Sequence, residues 1–326
     1  MVERMRNLHQ FEDLIPYALH SVPYIQQSHV FKAYCALENI YAQKPQLPDS
    51  VWQYCAALIR DDEPKVAGLI APELLELDEI IDPTSGRDFG PSWILQRGLM
   101  PLSYWAMKKR VEEIGFPAVF QSYLELSLDH PRYLGHEISV LSGNWHFYND
   151  VISQDATPER LDLFYQRFTE FVTTTFAQGN DTVFEHPAIN AVPPESEILN
   201  EALHNPGFFG HNILAFVWAQ RIKSLLTEEQ FQTTLYNLTV LNRWHPFGSV
   251  PVLLEPLSED WDDRDFDEQL VAYFLEGPTN THQITLAEVL LWVWTHYPEK
   301  RRLVAASMRC LTHATTPREY AEQSEA

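Results

Sequence analysis

Two segments of this 326-residue chain share a pattern that contains a histidine. Residues 130–138 read HPRYLGHEI and residues 204–213 read HNPGFFGHNI, with proline, aromatic, glycine, histidine and isoleucine residues in matching places. The shared histidines are His136 and His211, and an apolar run with helical spacing follows each one. Proline and glycine punctuate the chain where elements end or begin. Each histidine is therefore predicted to lie in the first turn of a helix.

Two further histidines lie in a shorter version of this sequence pattern. His29 (in SHVF) and His282 (in THQI) each follow a small residue and precede an expected helix. Imidazole is the commonest metal ligand in proteins, and metal ligands in helical bundles come from facing helices. The sequence therefore predicts that His29, His136, His211 and His282 bind one metal ion, iron or zinc by ligand type. The alternative interpretation is that they only satisfy backbone groups at helix starts.

Other motifs give weaker signals. Glu201 and His204 have the spacing of a di-iron ligand pair, but a single pair indicates only a helix surface. His146 follows His136 by ten residues, which places it about 280° further round a helix and away from the same centre. His296 is predicted at a solvated helix start. Because the sequence lacks the common nucleotide-binding and hydrolase signatures, no nucleotide cofactor is expected and no catalytic residue is assigned.

The elements that must position the histidines are predicted to be helices. Threonine caps or capping boxes open apolar runs of helical period at four points: Thr157, Thr227, Thr285 and Thr316. Alternating, strand-like patterns are short and are interrupted by proline. We therefore predict an all-α protein of about a dozen helices, in which residues 1–326 form a single bundle-like domain with a buried, histidine-lined centre.

The amino-acid composition excludes some classes of binding partner and cellular location. The net charge of −22 and pI near 4.9 disfavour nucleic acid and anionic membranes as partners. The longest apolar stretch, LAEVLLWVW, is too short to span a bilayer, and the N-terminal residues do not resemble a signal peptide. Three cysteines without a C-x-x-C pair do not suggest a disulfide framework. A cytoplasmic protein is expected, and its oligomeric state stays open.

The order and spacing of these segments resemble the questin oxidase-like family over most of the chain. The segments that carry the resemblance begin SHVFKAYCALENIYA, WILQRGLMPLSYWAMKK, GFFGHNILAFVWAQRIK and TNTHQITLAEVLLWV. The resemblance implies an oxygenase that opens polycyclic aromatic rings, with a non-haem iron held by several histidines and a carboxylated lysine. Thr285 stands where that lysine would be expected, and Lys300 on the next helix is the alternative.

The function expected from the sequence is an iron-dependent oxygenase that acts on an apolar aromatic or polyketide-like small molecule. One alternative is a hydrolase in which the same histidines hold zinc and a bound water is the nucleophile. A second alternative is a helical protein without enzymatic activity that binds a hydrophobic ligand or a partner.

Overall fold

The computed structural model describes residues 10–22, 28–69, 90–178, 188–244, 252–261 and 265–324. Within these ranges the chain forms fifteen α-helices and no strand, apart from one isolated bridge between Ser21 and Lys65. The predicted all-α class is thereby confirmed. None of the described helices is both long and apolar enough to cross a membrane.

The fifteen helices are numbered in chain order. The first seven are α1 (Ile15–His20), α2 (Val30–Gln43), α3 (Asp49–Asp61), α4 (Pro91–Arg97), α5 (Leu102–Ile114), α6 (Phe116–Leu126) and α7 (His136–Asp150). The other eight are α8 (Pro158–Phe176), α9 (Glu195–His204), α10 (His211–Ile222), α11 (Glu228–Arg243), α12 (Phe266–Glu276), α13 (Thr281–His296), α14 (Arg301–His313) and α15 (Pro317–Ser324).

Four of these helices, α2, α7, α10 and α13, form a ring in which each packs against the next. We call them the central helices. All four run in the same direction, because residues at similar depths meet across the ring. Asn39 of α2 donates to Glu288 of α13 (3.4 Å), and Ser142 of α7 donates to the carbonyl of Trp218 in α10 (3.0 Å). Their N-terminal ends therefore lie together at one end of the ring.

The central helices make up much of the core because they are apolar on almost every side. Ten of the twelve residues of α10 and twelve of the sixteen residues of α13 are buried, as expected for helices without a wide polar face. The outer helices carry the predicted caps. The Thr157 hydroxyl accepts from the Arg160 amide (3.2 Å), and Thr227 and Gln230 form the predicted capping box (2.9 and 3.2 Å). These caps fix the starts of α8 and α11.

The helix start predicted at Thr285 is wrong. Helix α13 begins one turn earlier, where the Asn280 side chain accepts from the His282 amide (3.0 Å) and acts as the cap. The Thr285 hydroxyl instead donates to the His282 carbonyl (3.0 Å) inside the helix. Glu288 stands three residues after Thr285, as the second residue of a capping box would, but it is buried in the ring and pairs with Arg221. The cap at Asn280 therefore starts the helix before Thr285, which becomes an interior residue.

Candidate metal centre

The four histidines identified in the sequence meet at the N-terminal end of the central helices. One ring nitrogen from each lies within 4.8 Å of those of the other three. The Nε2 atom of His136 lies 3.2 Å from that of His29 and 3.0 Å from that of His211. The ring centroid of His282 lies 4.1 Å from that of His29 and 5.0 Å from that of His211. The fold thus brings together side chains from four helices.

The repeated sequence motif produces the same turn twice. In both segments a non-glycine residue and the following glycine have left-handed φ angles: 57° and 68° at Leu134 and Gly135, and 47° and 72° at Phe209 and Gly210. The helix then begins at the histidine. A Cβ atom on Gly210 would lie 2.5 Å from Leu286 Cδ1, so space as well as φ requires glycine there. The turn lets α10 start close against α13 with its first side chain at the centre.

The two nitrogen–nitrogen separations that involve His136 match those around a single bound metal ion. Two nitrogens that each lie about 2.1 Å from one ion are about 3.0 Å apart at a right angle and about 3.4 Å apart at a tetrahedral angle. The observed separations of 3.0 and 3.2 Å fall within this range. The Nδ1–H of His211 donates to the Phe208 carbonyl, which leaves the Nε2 lone pair directed at the centre.

Burial keeps the four rings neutral. It lowers the pKa of His211 to about 3 and lowers the pKa of His29, His136 and His282 well below the ordinary value. Repulsion from the neighbouring rings and from Lys32 adds to the effect of burial on the pKa of those three histidines. A neutral imidazole has a free lone pair and does not repel a cation. The cluster is therefore in the protonation state that metal binding needs at neutral pH.

Lys32 is a candidate functional residue that the sequence analysis missed. It lies one turn after His29 on α2, is buried, and its Nζ has no hydrogen-bond partner among the described residues. Burial lowers the pKa of its amine to about 7. The signal in the sequence is a lysine on an apolar helix face, one turn from a predicted ligand. Lys300, the lysine considered from the sequence, instead donates to Asn200 (2.9 Å).

Two acidic residues at the end of α3 hold the starts of α2 and α13. The Glu63 carboxylate accepts from the Ser28 hydroxyl (2.8 Å) and from the His29 amide (3.2 Å). Asp62 accepts from the Thr281 amide (2.8 Å), one residue before His282. Burial raises the pKa of Glu63 to about 7. Because both partners are distant in the chain, local sequence patterns did not reveal these caps.

One side of the cluster is lined by aromatic residues that reach the surface. The Phe209 ring stacks on His282 with 5.5 Å between centroids, and His282 is only half-buried. Phe208, whose ring lies 4.5 Å from that of Phe209, is 44% exposed. This side of the centre therefore presents apolar, aromatic surface.

The other histidines and carboxylates discussed above lie outside the cluster. His146 is on α7, nearly three turns beyond His136, and does not belong to the cluster. His296 ends α13, is exposed, and stacks on Trp292 with 4.4 Å between centroids. Glu201 forms an ion pair with Arg243 at 2.5 Å, as expected for a helix surface.

No protein-family model, no curated protein and no solved structure matches this chain.

Proposed function

We propose that His29, His136, His211 and His282 bind one non-haem iron ion and that the protein is an O2-dependent oxygenase. The observation that carries the proposal is the convergence of four imidazoles, three buried and that of His282 half-buried, each with one nitrogen within 4.8 Å of the others. Burial holds all four rings neutral, so their lone pairs are available to a cation. The resemblance of the chain to questin oxidase-like proteins favours iron among the metals that imidazole binds.

The number of ligands also favours iron over catalytic zinc. Four protein ligands complete the tetrahedral shell that zinc adopts in closed, structural sites, whereas catalytic zinc keeps one position open. An ion that accepts six ligands would keep two positions after binding four imidazoles. Bound iron would supply the activation of O2, while the chain fixes the nitrogen ligands and excludes water around them.

We assign an apolar aromatic or polyketide-like small molecule as the substrate. The support is the aromatic edge beside the centre, where Phe209 stacks on His282 and Phe208 reaches the surface. An aromatic substrate could stack against such rings, and its apolar body would keep water out of the site. The ring-opening chemistry of the resembling family is consistent with this class of substrate.

Lys32 is the residue proposed to complete the centre. Four neutral imidazoles give a divalent cation no counter-charge, and the N-terminal ends of four helices add positive potential. A neutral amine can form a bond from its nitrogen to the carbon of CO2 and release one proton, which yields a carbamate anion. The buried, unpartnered Nζ of Lys32 and its lowered pKa favour that reaction. Lys32 would thereby take the part of the carboxylated lysine in the resembling family.

Metal analysis of protein purified without a metal-affinity tag tests the proposal. We expect about one iron per chain and O2 uptake by the ferrous protein in the presence of polycyclic aromatic compounds. Zinc without any reaction with O2 would instead support the hydrolase alternative. A protein that contains no metal and acquires none from ferrous or zinc salts would leave only the non-enzymatic alternative.

A further inference from the structure

Buried polar side chains recur along the central helices beyond the histidines. Among those without a hydrogen-bond partner in the described residues we group six atoms: Lys32 Nζ, Ser139 Oγ, Glu288 Oε2, Trp218 Nε1, Arg221 Nη1 and His146 Nε2. Lys32 and Ser139 stand three residues after the histidine of their own helix. Glu288 and Trp218 stand six and seven residues after theirs, and Arg221 and His146 both stand ten residues after theirs. At 1.5 Å per residue they lie about 5, 10 and 15 Å below the metal centre. We call this set the polar axis.

Contacts join the lower part of the polar axis into one cluster. Arg221 pairs with Glu288, whose carboxylate also accepts from Asn39 at 3.4 Å. The Arg221 guanidinium lies over the Trp218 ring, 4.2 Å from its centroid. The His146 ring lies 5.9 Å from the same indole. Each of the four central helices thus contributes at least one residue to this cluster.

The polar axis is energetically expensive without further partners. A polar group buried without a hydrogen bond costs on the order of 1–3 kcal/mol, and the surrounding faces of α10 and α13 are apolar. The axis contains donors, such as Trp218 Nε1 and Arg221 Nη1, and acceptors, such as Glu288 Oε2. Ordered water both donates and accepts and commonly bridges buried groups of this kind.

The far end of the polar axis reaches solvent. The side chain of His146 is 27% exposed, and its Nδ1 lies 3.4 Å from an Asp150 carboxylate oxygen. Asp150 is the last residue of α7, and its side chain is 46% exposed. The axis therefore has one end at the histidine centre and the other at an exposed histidine–carboxylate pair.

We propose that the polar axis is a proton pathway that connects solvent at His146 and Asp150 with the metal centre, and that Glu288 is its internal proton carrier. The inference rests on the proposed function, because oxidation of a substrate by O2 requires protons to be delivered and removed at separate stages, and a closed site must exchange them with solvent. A proton enters at His146, is held on the Glu288 carboxylate, and passes through water and the Ser139 hydroxyl to the centre. Glu288 then returns to its carboxylate form. The pathway carries protons only; O2 is the oxidant and the substrate supplies the electrons.

The surroundings of Glu288 suit a group that gains and loses a proton. Burial raises the pKa of its carboxyl, while Arg221 and the hydrogen bond from Asn39 act in the opposite direction. Two other titratable groups on the described central helices interact with it: His146, which lowers the pKa of Glu288, and the Cys35 thiol, whose own pKa is raised by burial and in part by Glu288. Both protonation states of Glu288 therefore have stabilising partners.

Hydrogen exchange tests the pathway without any metal. In the full-length, metal-free protein we expect the Trp218 indole N–H, identified in NMR spectra by its loss in Trp218→Phe, to exchange roughly 100-fold faster than the Trp218 backbone amide. The backbone amide lies in the buried helix α10 and exchanges only when the helix opens. Equal rates for the two groups would show that solvent does not enter the axis and would overturn the proposal.

Oxidation of the iron-loaded protein tests proton transfer itself. We expect Glu288→Gln to slow oxidation of bound ferrous iron by O2 about tenfold and to enlarge the solvent deuterium isotope effect, with recovery in Glu288→Asp. Glu170→Gln is the matched control, because Glu170 forms a similar buried pair with Arg167 (2.6 Å) on the outer helix α8. His146→Leu should slow oxidation in the same way and serves if Glu288→Gln does not fold.

The two proposals fail in different ways. Unchanged oxidation in Glu288→Gln, or in His146→Leu, with normal iron content would overturn the pathway but leave the metal centre in place. Absence of iron from the wild-type protein would overturn the proposed function, and the exchange of the Trp218 indole would still decide whether the axis admits solvent.

Discussion

The Nε2 atom of His136 lies 3.0 Å from the Nε2 atom of His211, although 75 residues separate them in the chain. Each histidine is the first residue of a helix, and each follows the same left-handed turn. Two copies of the same turn, each followed by a helix, thus place two imidazole rings in one cluster. The helices α2 and α13 bring the other two rings to the same point.

Removal of one ring should lower both metal content and stability. We expect His211→Ala to lose most of its bound metal, since affinity depends on the number and geometry of ligands. A ligand at a thousandfold excess over its dissociation constant stabilises the native state by about 4 kcal/mol, so the melting temperature should also fall. Metal stoichiometry and thermal unfolding measure the two effects. The control is His296→Ala, an exposed histidine at the end of α13; equal metal content in His211→Ala and wild type would remove His211 from the site.

Lys32→Met should reduce metal occupancy without unfolding the protein. Methionine fills a similar volume and removes a buried amine that has no partner among the described residues, so the metal-free variant should be at least as stable as wild type. Labelled bicarbonate should give a carbamate carbon signal in the NMR spectrum of wild type and none in the variant. Lys44→Met, which removes a partly exposed ion pair with Asp267, is the matched control. Normal metal content in Lys32→Met would exclude Lys32 as a ligand.

Gly210→Ala should disturb the centre through the backbone. The left-handed φ of 72° is unfavourable for alanine, and the new Cβ would meet Leu286. We expect a loss of about 1–3 kcal/mol in the free energy of unfolding and weaker metal binding, because the start of α10 must shift. Urea denaturation and metal titration give both quantities. Gly68→Ala is the control, since its Cβ would have no neighbour within 4 Å, and comparable losses in the two variants would contradict this explanation.

Asp62→Ala should loosen the start of α13. The variant loses the carboxylate that accepts from the Thr281 amide, and loss of a helix cap costs about 1 kcal/mol. Because His282 is the next residue, metal affinity should decrease as well. The exposed neighbour Asp61 provides the control variant Asp61→Ala. A stability equal to wild type in Asp62→Ala, measured by urea denaturation, would show that the cap is dispensable.

The metal-free protein should lose stability as the pH falls below about 6.5, near the ordinary histidine pKa. Burial lowers the pKa of His211 to about 3 in the folded state, whereas the unfolded chain has the ordinary value. At a pH between the folded and the unfolded pKa, the unfolded state binds more protons than the folded state. The contribution of neutral His211 to the free energy of unfolding is therefore complete above the unfolded pKa and is lost as the pH falls. Urea denaturation midpoints should be measured from pH 7.5 to 5 in wild type and in His211→Ala. The difference between the two pH profiles is the effect of His211 alone. An equally steep pH dependence in both proteins would contradict the assignment.

Several features of this protein follow from local sequence alone. The 3.6-residue period and the caps at Thr157 and Thr227 predicted the helical class, because helix formation and capping depend on residues within one or two turns. The paired motifs predicted a histidine at the start of two helices for the same reason. The four histidines of the cluster could be selected because each follows a small residue and stands two positions before an apolar one.

The tertiary structure decided how these elements combine. Lys32, Asp62 and Glu63 act on partners that are distant in the chain or on facing helices, so no local pattern distinguished them. The polar axis likewise depends on the packing of four parallel helices, which brings Asn39, Glu288, Trp218 and His146 into one cluster. Thr285 shows that a local motif can also mislead. Its sequence matches a helix cap, but the helix begins earlier because Asn280 caps it. Local propensity selects the elements, whereas burial and packing between distant segments determine which side chains meet.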